Sequence, residues 1–248
     1  MSWPGTVGAL LARVGYVIHR WPNNRFDGMA DSLELLRRAR YRPRVVIDCG
    51  ANVGQWARLS SAVFPEAEYH LVEPQAFCWK ALDAFARERG GVHVHRTAVT
   101  EPRIAHVRML GGGGVGCTGN FVALSGERSE DEIECPATTL DALFAERISP
   151  DARLFLKLDI EGHEMAALRG ASRLLEAVEV VLTEVHFFDV FHAGRPLFSD
   201  VLAFLAAHEF ELYDFACLAT RPRDYRLRMG DALFVRRSSP LAADVSWD

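Results

Sequence analysis

VVIDCGANVGQW, residues 45–56, is the stretch on which the fold turns. Val45, Val46 and Ile47 form a short continuous apolar run, as a strand buried on both faces would, and Asp48 stands at its end. Gly50 and Gly54 then bracket Ala51, Asn52 and Val53, and Gln55-Trp56 opens a helix. A buried strand, a glycine turn and a helix start form the unit that holds a nucleotide-like cofactor at the carboxyl end of a parallel sheet.

The chain on either side alternates strands with helices. DSLELLRRAR reads as a helix closed by Pro43, a helix over about 54–63 leads to the strand EYHLVEP, and a helix over about 75–89 leads to VHVHRTAV. IAHVRML is a further extended run before GGGGVGCTGN, whose glycines read as a loop and not a phosphate cradle. IECPATTLDAL ends a strand and starts a helix with Thr138 or Thr139 as N-cap and Asp141 in its first turn. LFLKLDI, the helix HEMAALRGASRLL, the strand VEVVLTEVH, the helix PLFSDVLAFLAAHE and the strands FELYDFA and DALFVRR follow. The expected fold is α/β and doubly wound, with a mostly parallel, Rossmann-like sheet and a last pair that runs antiparallel. Residues 1–40 are read as an N-terminal helical extension and 41–248 as the cofactor-binding domain.

With 248 residues, 49% of them hydrophobic, the chain can bury one sizeable core. The net charge of −5, from 28 basic and 33 acidic residues without a Lys/Arg cluster, argues against nucleic acid as a partner. Five cysteines, at 49, 78, 117, 135 and 217, with no C-x-x-C pair, suit a reducing cytoplasm and neither a disulfide framework nor a structural zinc site. GALLARVGYVI is interrupted by Arg13 and falls short of the roughly 20 residues of a membrane span. Leu10, Leu11, Val14, Val17 and Ile18 share one helical stripe, which would pack on the domain or on a second copy in a homodimer.

The ligand of the opening turn follows from Asn52. A dinucleotide fingerprint needs glycine there so that the backbone can approach a pyrophosphate. S-adenosylmethionine has no pyrophosphate and makes no such demand. Glu73, 19 residues beyond Gly54 at the end of HLVEP, can accept hydrogen bonds from both ribose hydroxyls of either cofactor. The expected cofactor set is Asp48, Gly50, Asn52, Gly54, Glu73, Ala98 and Asp159.

The sequence also resembles the FkbM-type S-adenosylmethionine-dependent methyltransferases. The likeness rests on VVIDCGANVGQW, LVEP around Glu73, TTLDAL at 138–143, LKLDIEGHE at 156–164 with LRGA at 168–171, and TEVH at 183–186, in family order over roughly residues 40–237. The resemblance implies methyl transfer to a hydroxyl of a small molecule, a sugar, glycolipid or polyketide-type natural product.

In LFLKLDI, alternation puts Lys157, Asp159 and Glu161 on one side at the carboxyl end of a central strand, where ligands bind in such sheets. Lys157 reads as a buried ion-pair partner of Asp48 or Glu161. Glu161 and Glu164 can also be read as first-turn carboxylates of the next helix. In TEVH, period two carries Glu184 and His186 to one face. Asp159 and Glu184 would suit Mg²⁺, and His186 a base, with Asp159 and His163 as further catalytic candidates. His192 and Arg195 read as substrate cover, and His93 and His95 as ordinary strand residues. DIEG stands where base- and amide-nitrogen methylating enzymes carry [ND]-P-P-[YF], and no G-x-S-x-G elbow is present, so O-methylation is the expected reaction. A nicotinamide-dependent oxidoreductase, disfavoured by Asn52, and a non-catalytic cofactor-binding protein are the alternatives.

Overall fold

The computed structural model describes residues 25–110, 121–123, 132–147, 149, 152–189 and 194–243. The stripe at 10–18, the glycine run, Cys117 and His192 lie outside them. In chain order the elements are α1 (Arg25–Arg38), β1 (Val45–Cys49), α2 (Gln55–Val63), β2 (Glu68–Val72), α3 (Ala76–Arg89) and β3 (Val92–His95). Then come β4 (Ala98–Val99), β5 (His106–Leu110), β6 (Phe121–Val122), β7 (Glu132–Thr138) and α4 (Leu140–Leu143). β8 (Leu154–Leu158), α5 (Glu164–Arg169), β9 (Val178–His186), α6 (Phe198–Ala207), β10 (Phe210–Thr220), β11 (Leu227–Arg236) and α7 (Pro240–Ala243) complete them.

Seven strands form the main sheet in the order β10-β11-β9-β8-β1-β2-β3. β1, β2, β3, β8 and β9 pair in parallel, and β11 is antiparallel to both β9 and β10, so β11 alone runs against the rest. This is the doubly wound, mostly parallel sheet with an antiparallel final pair that the alternation of elements implied.

Its apolar runs are continuous because both faces are covered. Ile47, Leu156, Leu158, Val181 and Phe234 point to one face and pack with Leu168 of α5 and Val201 and Leu205 of α6. Val46, Phe155, Val180, Leu182 and Val235 point to the other, against α1, α2 and α3. There Phe155 meets Tyr41, Trp56 and Phe64 edge-on, an arrangement aromatic quadrupoles favour.

α1 starts six residues earlier than the expected helix at 31. Met29, Leu33 and Leu36, at i, i+4 and i+7, are buried in the core shared with Trp56. Gly28 permits its close approach to β10, since a Cβ there would lie 2.1 Å from the carbonyl oxygen of Ala216.

A second sheet, β4-β7-β5-β6, takes the segments IAHVRML and IECPATT out of the main one. β5 alternates in burial, with Val107 and Met109 inward and His106 exposed, which suits an antiparallel sheet with one wet face. VHVHRTAV accordingly breaks into β3, in the main sheet, and β4, in the side sheet. The break carries Thr97 and Ala98 over the carboxyl ends of the main strands. The expected helix HEMAALRGASRLL also breaks, ending at Arg169. Gly170 sits so close to the chain before it that a Cβ would be 2.1 Å from the oxygen of Thr100. Asp141 meanwhile accepts the backbone N–H groups of Arg173 and Leu174. Thr139 is the N-cap of α4, accepting from the Ala142 N–H at 3.0 Å. The TLDAL and LRGA motifs thus interlock as structure. No described helix is long and apolar enough to cross a membrane, and Cys49, Cys78, Cys135 and Cys217 are free thiols.

Candidate active site

At the carboxyl ends of β1, β2, β8 and β9 lies a cavity of about 500 Å³. By chain element the lining divides into a first lobe, at the ends of β1 and β2 and the β3–β4 link, of Gly50, Ala51, Asn52, Glu73, Pro74, Gln75, Thr97 and Ala98, and a second, at α1, β11 and the ends of β8 and β9, of Arg25, Asp159, Glu161, His163, Glu184, Arg228 and Met229.

In the first lobe the glycine turn and Glu73 form one unit. Glu73 accepts the Asn52 N–H at 2.8 Å on Oε2 and the Gln75 N–H at 3.0 Å on Oε1. The Gln75 side chain donates to the same carboxylate, which leaves acceptor capacity for a further donor such as a ribose hydroxyl. Burial pushes Glu73 upward, and the N–H groups of Gln75 and Asn52 oppose it. Asn52 takes φ +48° and accepts the Val53 N–H on its own side chain at 2.8 Å. Its amide is therefore committed to Glu73, where a dinucleotide site would offer backbone to a pyrophosphate.

Other members of the expected cofactor set sit differently. Gly50, at φ +77°, lines the cavity, but a Cβ there would first meet the Asp159 carbonyl oxygen at 1.9 Å; the glycine lets β1 and β8 end side by side. Gly54, at φ +83°, faces Leu82 and Phe85 of α3. Asp48 is fully buried below the cavity with Lys157 Nζ at 2.8 Å, since the β1–β8 register sets the two opposite each other. This is the ion pair expected for Lys157. Burial alone would lower the ammonium, but Asp48 and Asp159 outweigh it and raise its pKa.

The second lobe is acidic, and its counter-charge comes from α1. Arg25 pairs bidentately with Asp231 and lies 2.8 Å from Glu184 Oε2 and 3.4 Å from Asp159 Oδ2. Lys157 Nζ is 3.5 Å from the same Asp159 oxygen. Burial would raise Asp159, yet Lys157 and Arg25 hold it low, whereas burial and then Asp159 push Glu184 well above the usual carboxylate range. Asp159 and Glu184, the pair expected for Mg²⁺, thus meet around a guanidinium. This donor set does not fit the ion, because the space between the carboxylates is already filled by a cation.

Strand parity places Glu184 in the cavity, but His186, two residues on, is not among the described residues that line it. The ring lies 3.7 Å from Glu184, and burial, then Arg228 and Arg195, lower its pKa. His163 does line the cavity; its Nε2 shares a hydrogen bond with Thr100 Oγ1 at 2.9 Å, and burial, followed by Arg195, takes it down to about 4. Glu164 accepts the Ile160 and Gly162 N–H groups and caps its own loop. Arg195, expected in a substrate cover, is buried against Gly162 and donates to the Val122 carbonyl at 3.0 Å.

One residue of weight escaped the sequence, and one was left between two readings. Arg25 stands 134 positions from Asp159, and only the fold joins them. Glu161 takes φ +55°, costly for a non-glycine residue, and so turns into the cavity. Burial first, then Asp159 and Glu164, push its carboxyl up to about 7. Parity puts Glu161 on the side of Asp159, and both line the cavity, although the chain has left the extended conformation by then.

The family model described as the Methyltransferase FkbM domain matches residues 48–212. No curated protein matches the sequence. Among solved structures, a Methyltransferase FkbM from Methylobacillus flagellatus aligns with TM-score 0.47 and 18% identity over 78% of this chain and 43% of its own. The chain thus spans less than half the length of that protein. The bifunctional kinase-methyltransferase WbdD aligns at 0.50 and 15% over 88% of this chain and 40% of its own. A Burkholderia thailandensis 1,6-didemethyltoxoflavin-N1-methyltransferase, solved with S-adenosylhomocysteine, aligns at 0.46 and 15% over 84% and 78%.

Proposed function

The chain belongs to the FkbM methyltransferase domain family, and from that premise we propose that it moves a methyl group from S-adenosylmethionine to a hydroxyl oxygen of a small molecule, with Glu161 as the proton acceptor. The single observation that carries the assignment of the base is Glu161 itself. It is a cavity-lining carboxyl held in a strained backbone and tuned to about 7, where a base works well at neutral pH.

When bound, the cofactor supplies an electrophilic sulfonium methyl. Gly50, Ala51, Asn52 and Glu73 would hold it in the first lobe, with Glu73 toward the ribose diol. The acceptor hydroxyl would sit in the second lobe and lose its proton to the Glu161 carboxylate as its oxygen bonds to the methyl carbon. Asp159, held low by Lys157 and Arg25, is a poorer base and serves to keep that cation pair in place. His163, with its Nε2 engaged by Thr100, is oriented to bind an acceptor group through its neutral ring. Much of the rate would come from holding the two reactants in line. No step needs a divalent cation. The acceptor class follows the resemblance: a sugar, glycolipid or polyketide-type alcohol.

The test is a methyl-transfer screen with labelled S-adenosylmethionine against glycosides and macrolide-like alcohols, together with melting curves in S-adenosylhomocysteine and in NAD. Stabilisation by S-adenosylhomocysteine alone, with label appearing in an ether, is the expected result. Stabilisation by NAD alone would return the chain to the oxidoreductase reading. Binding of S-adenosylhomocysteine with no turnover on any alcohol, amine or thiol would favour a non-catalytic protein.

A further inference from the structure

At the amino end of the main sheet, away from the cavity, the β2–β3 register sets His70 opposite His93, and period two puts Glu68 on the same face as His70. The two imidazoles stack with centroids 4.9 Å apart. Glu68 Oε1 lies 2.8 Å from His93 Nε2 and 3.3 Å from His70 Nε2, and one ligand atom from each of the three residues falls within 4.8 Å of the others. We propose that Glu68, His70 and His93 form a binding site for a divalent transition-metal ion of the zinc class, separate from the methyl-transfer cavity.

Three observations support it. The His70 side chain is 5% exposed, and its Nε2 makes no hydrogen bond although it is buried and lies 3.3 Å from Glu68 Oε1. A buried ring nitrogen without a partner is costly, and a metal ion between it and the carboxylate removes the cost. The other His70 nitrogen, Nδ1, is 2.9 Å from His95 Nε2. If Nδ1 donates there, the ring is fixed with its Nε2 lone pair toward the site, the way ligating histidines are usually oriented. Finally, Arg147 binds Glu68 Oε2 at 2.6 Å, which orients the carboxylate and leaves Oε1 for the ion.

The set is two imidazoles and one carboxylate, borderline ligands that suit zinc better than magnesium or calcium. His93 is half exposed, and it and Glu68 line an open groove of about 470 Å³, so water can complete the coordination and the ion has a way in. Arg147 adds a nearby positive charge that weakens the site relative to a closed structural zinc centre.

The test titrates Zn²⁺ into untagged full-length protein against a chelator of known affinity, with Co²⁺ absorption to read the ligands. The wild type should take up one equivalent at this site. His93→Ala and Glu68→Gln should each bind about 100-fold more weakly or worse while keeping their circular dichroism, and His95→Phe about 10-fold more weakly. S-adenosylhomocysteine affinity should be unchanged in all three variants. A wild type that takes up no zinc, or folded His93→Ala and Glu68→Gln proteins that bind it as the wild type does, would overturn the site.

Discussion

The Arg25 guanidinium, on the first described helix, lies 2.8 Å from Glu184 at the end of the fifth parallel strand, joining residues 159 positions apart. Asp231 and Asp159 share the same cation, so one side chain holds three acidic groups together at the second lobe.

Arg25→Ala leaves those carboxylates short of charge. Breaking a buried pair by removing one partner costs several kcal/mol, and with Arg25 30% exposed the expected loss is roughly 2–4 kcal/mol at pH 7.5. Burial raises both Glu184 and Asp231, so protons can replace the missing cation in acid and the loss should shrink at pH 5. The variant should also be partly rescued by Mg²⁺, whereas the wild type should not respond. Urea denaturation at the two pH values, with and without Mg²⁺, measures all three effects. A loss that does not change with pH would place Arg25 outside the electrostatics of the lobe.

Glu161 supplies a prediction with an unusual sign. Its carboxyl lies at about 7 in the folded chain, against an ordinary 4.5, so between those values the folded state binds more protons than the unfolded one. Stability from this group is therefore fully present below about 4.5 and is lost as pH rises toward 7. Glu161→Gln removes the charge that must otherwise be buried, and the variant should be more stable than the wild type at pH 7.5 by about 1–3 kcal/mol. Its turnover should fall by roughly 10²-fold or more with cofactor affinity kept. A fully active Glu161→Gln enzyme would move the base elsewhere in the lobe.

The sheet was legible because its signals are local. Val45–Ile47 is a continuous apolar run, Leu154–Leu158 and Val178–Leu182 are apolar but for Lys157 and Glu179, and each became a central strand. The family motifs were legible as a string but not as roles: Asp141 caps the segment at 173–174, and Gly50 opens space for a carbonyl. What stayed hidden depends on backbone departures and long-range pairing. His186 was assigned by parity along a strand whose last residue is not among those lining the cavity, Glu161 was placed on the right side but left between two roles, and Arg25 was hidden by chain distance. The side sheet was missed as a separate layer because two-residue strands such as Ala98–Val99 carry too little pattern to declare their partner.

Gly50 and Gly54 offer a contrast of mechanism. A methyl group at Gly50 would lie 1.9 Å from a backbone oxygen that cannot yield, in a left-handed conformation, whereas at Gly54 the first contact is the flexible end of Leu82 at 3.3 Å. Gly50→Ala should therefore cost about 2–4 kcal/mol, combining backbone strain with overpacking. Gly54→Ala should cost about 1–2 kcal/mol, from conformation alone. Chemical denaturation of both proteins gives the ranking. Equal costs would mean that the β1 and β8 ends part easily and that Gly50 serves the ligand alone.

Glu73 closes the set because it carries two burdens at once. Its oxygens receive the Asn52 and Gln75 amides, which shape the glycine turn, and the residue lines the cavity. Glu73→Ala should weaken S-adenosylhomocysteine binding by about 1–3 kcal/mol through lost charge-assisted bonds. It should also lower stability without any ligand, because two backbone donors lose their acceptor. Glu73→Gln separates the contributions: an amide keeps one acceptor oxygen but sets its NH₂ against a backbone N–H, so the turn suffers while the side chain's size is kept. Calorimetric titration beside ligand-free denaturation resolves the two. Unchanged affinity in a folded Glu73→Ala protein would remove the ribose role, and unchanged ligand-free stability would show that water replaces the carboxylate at the turn.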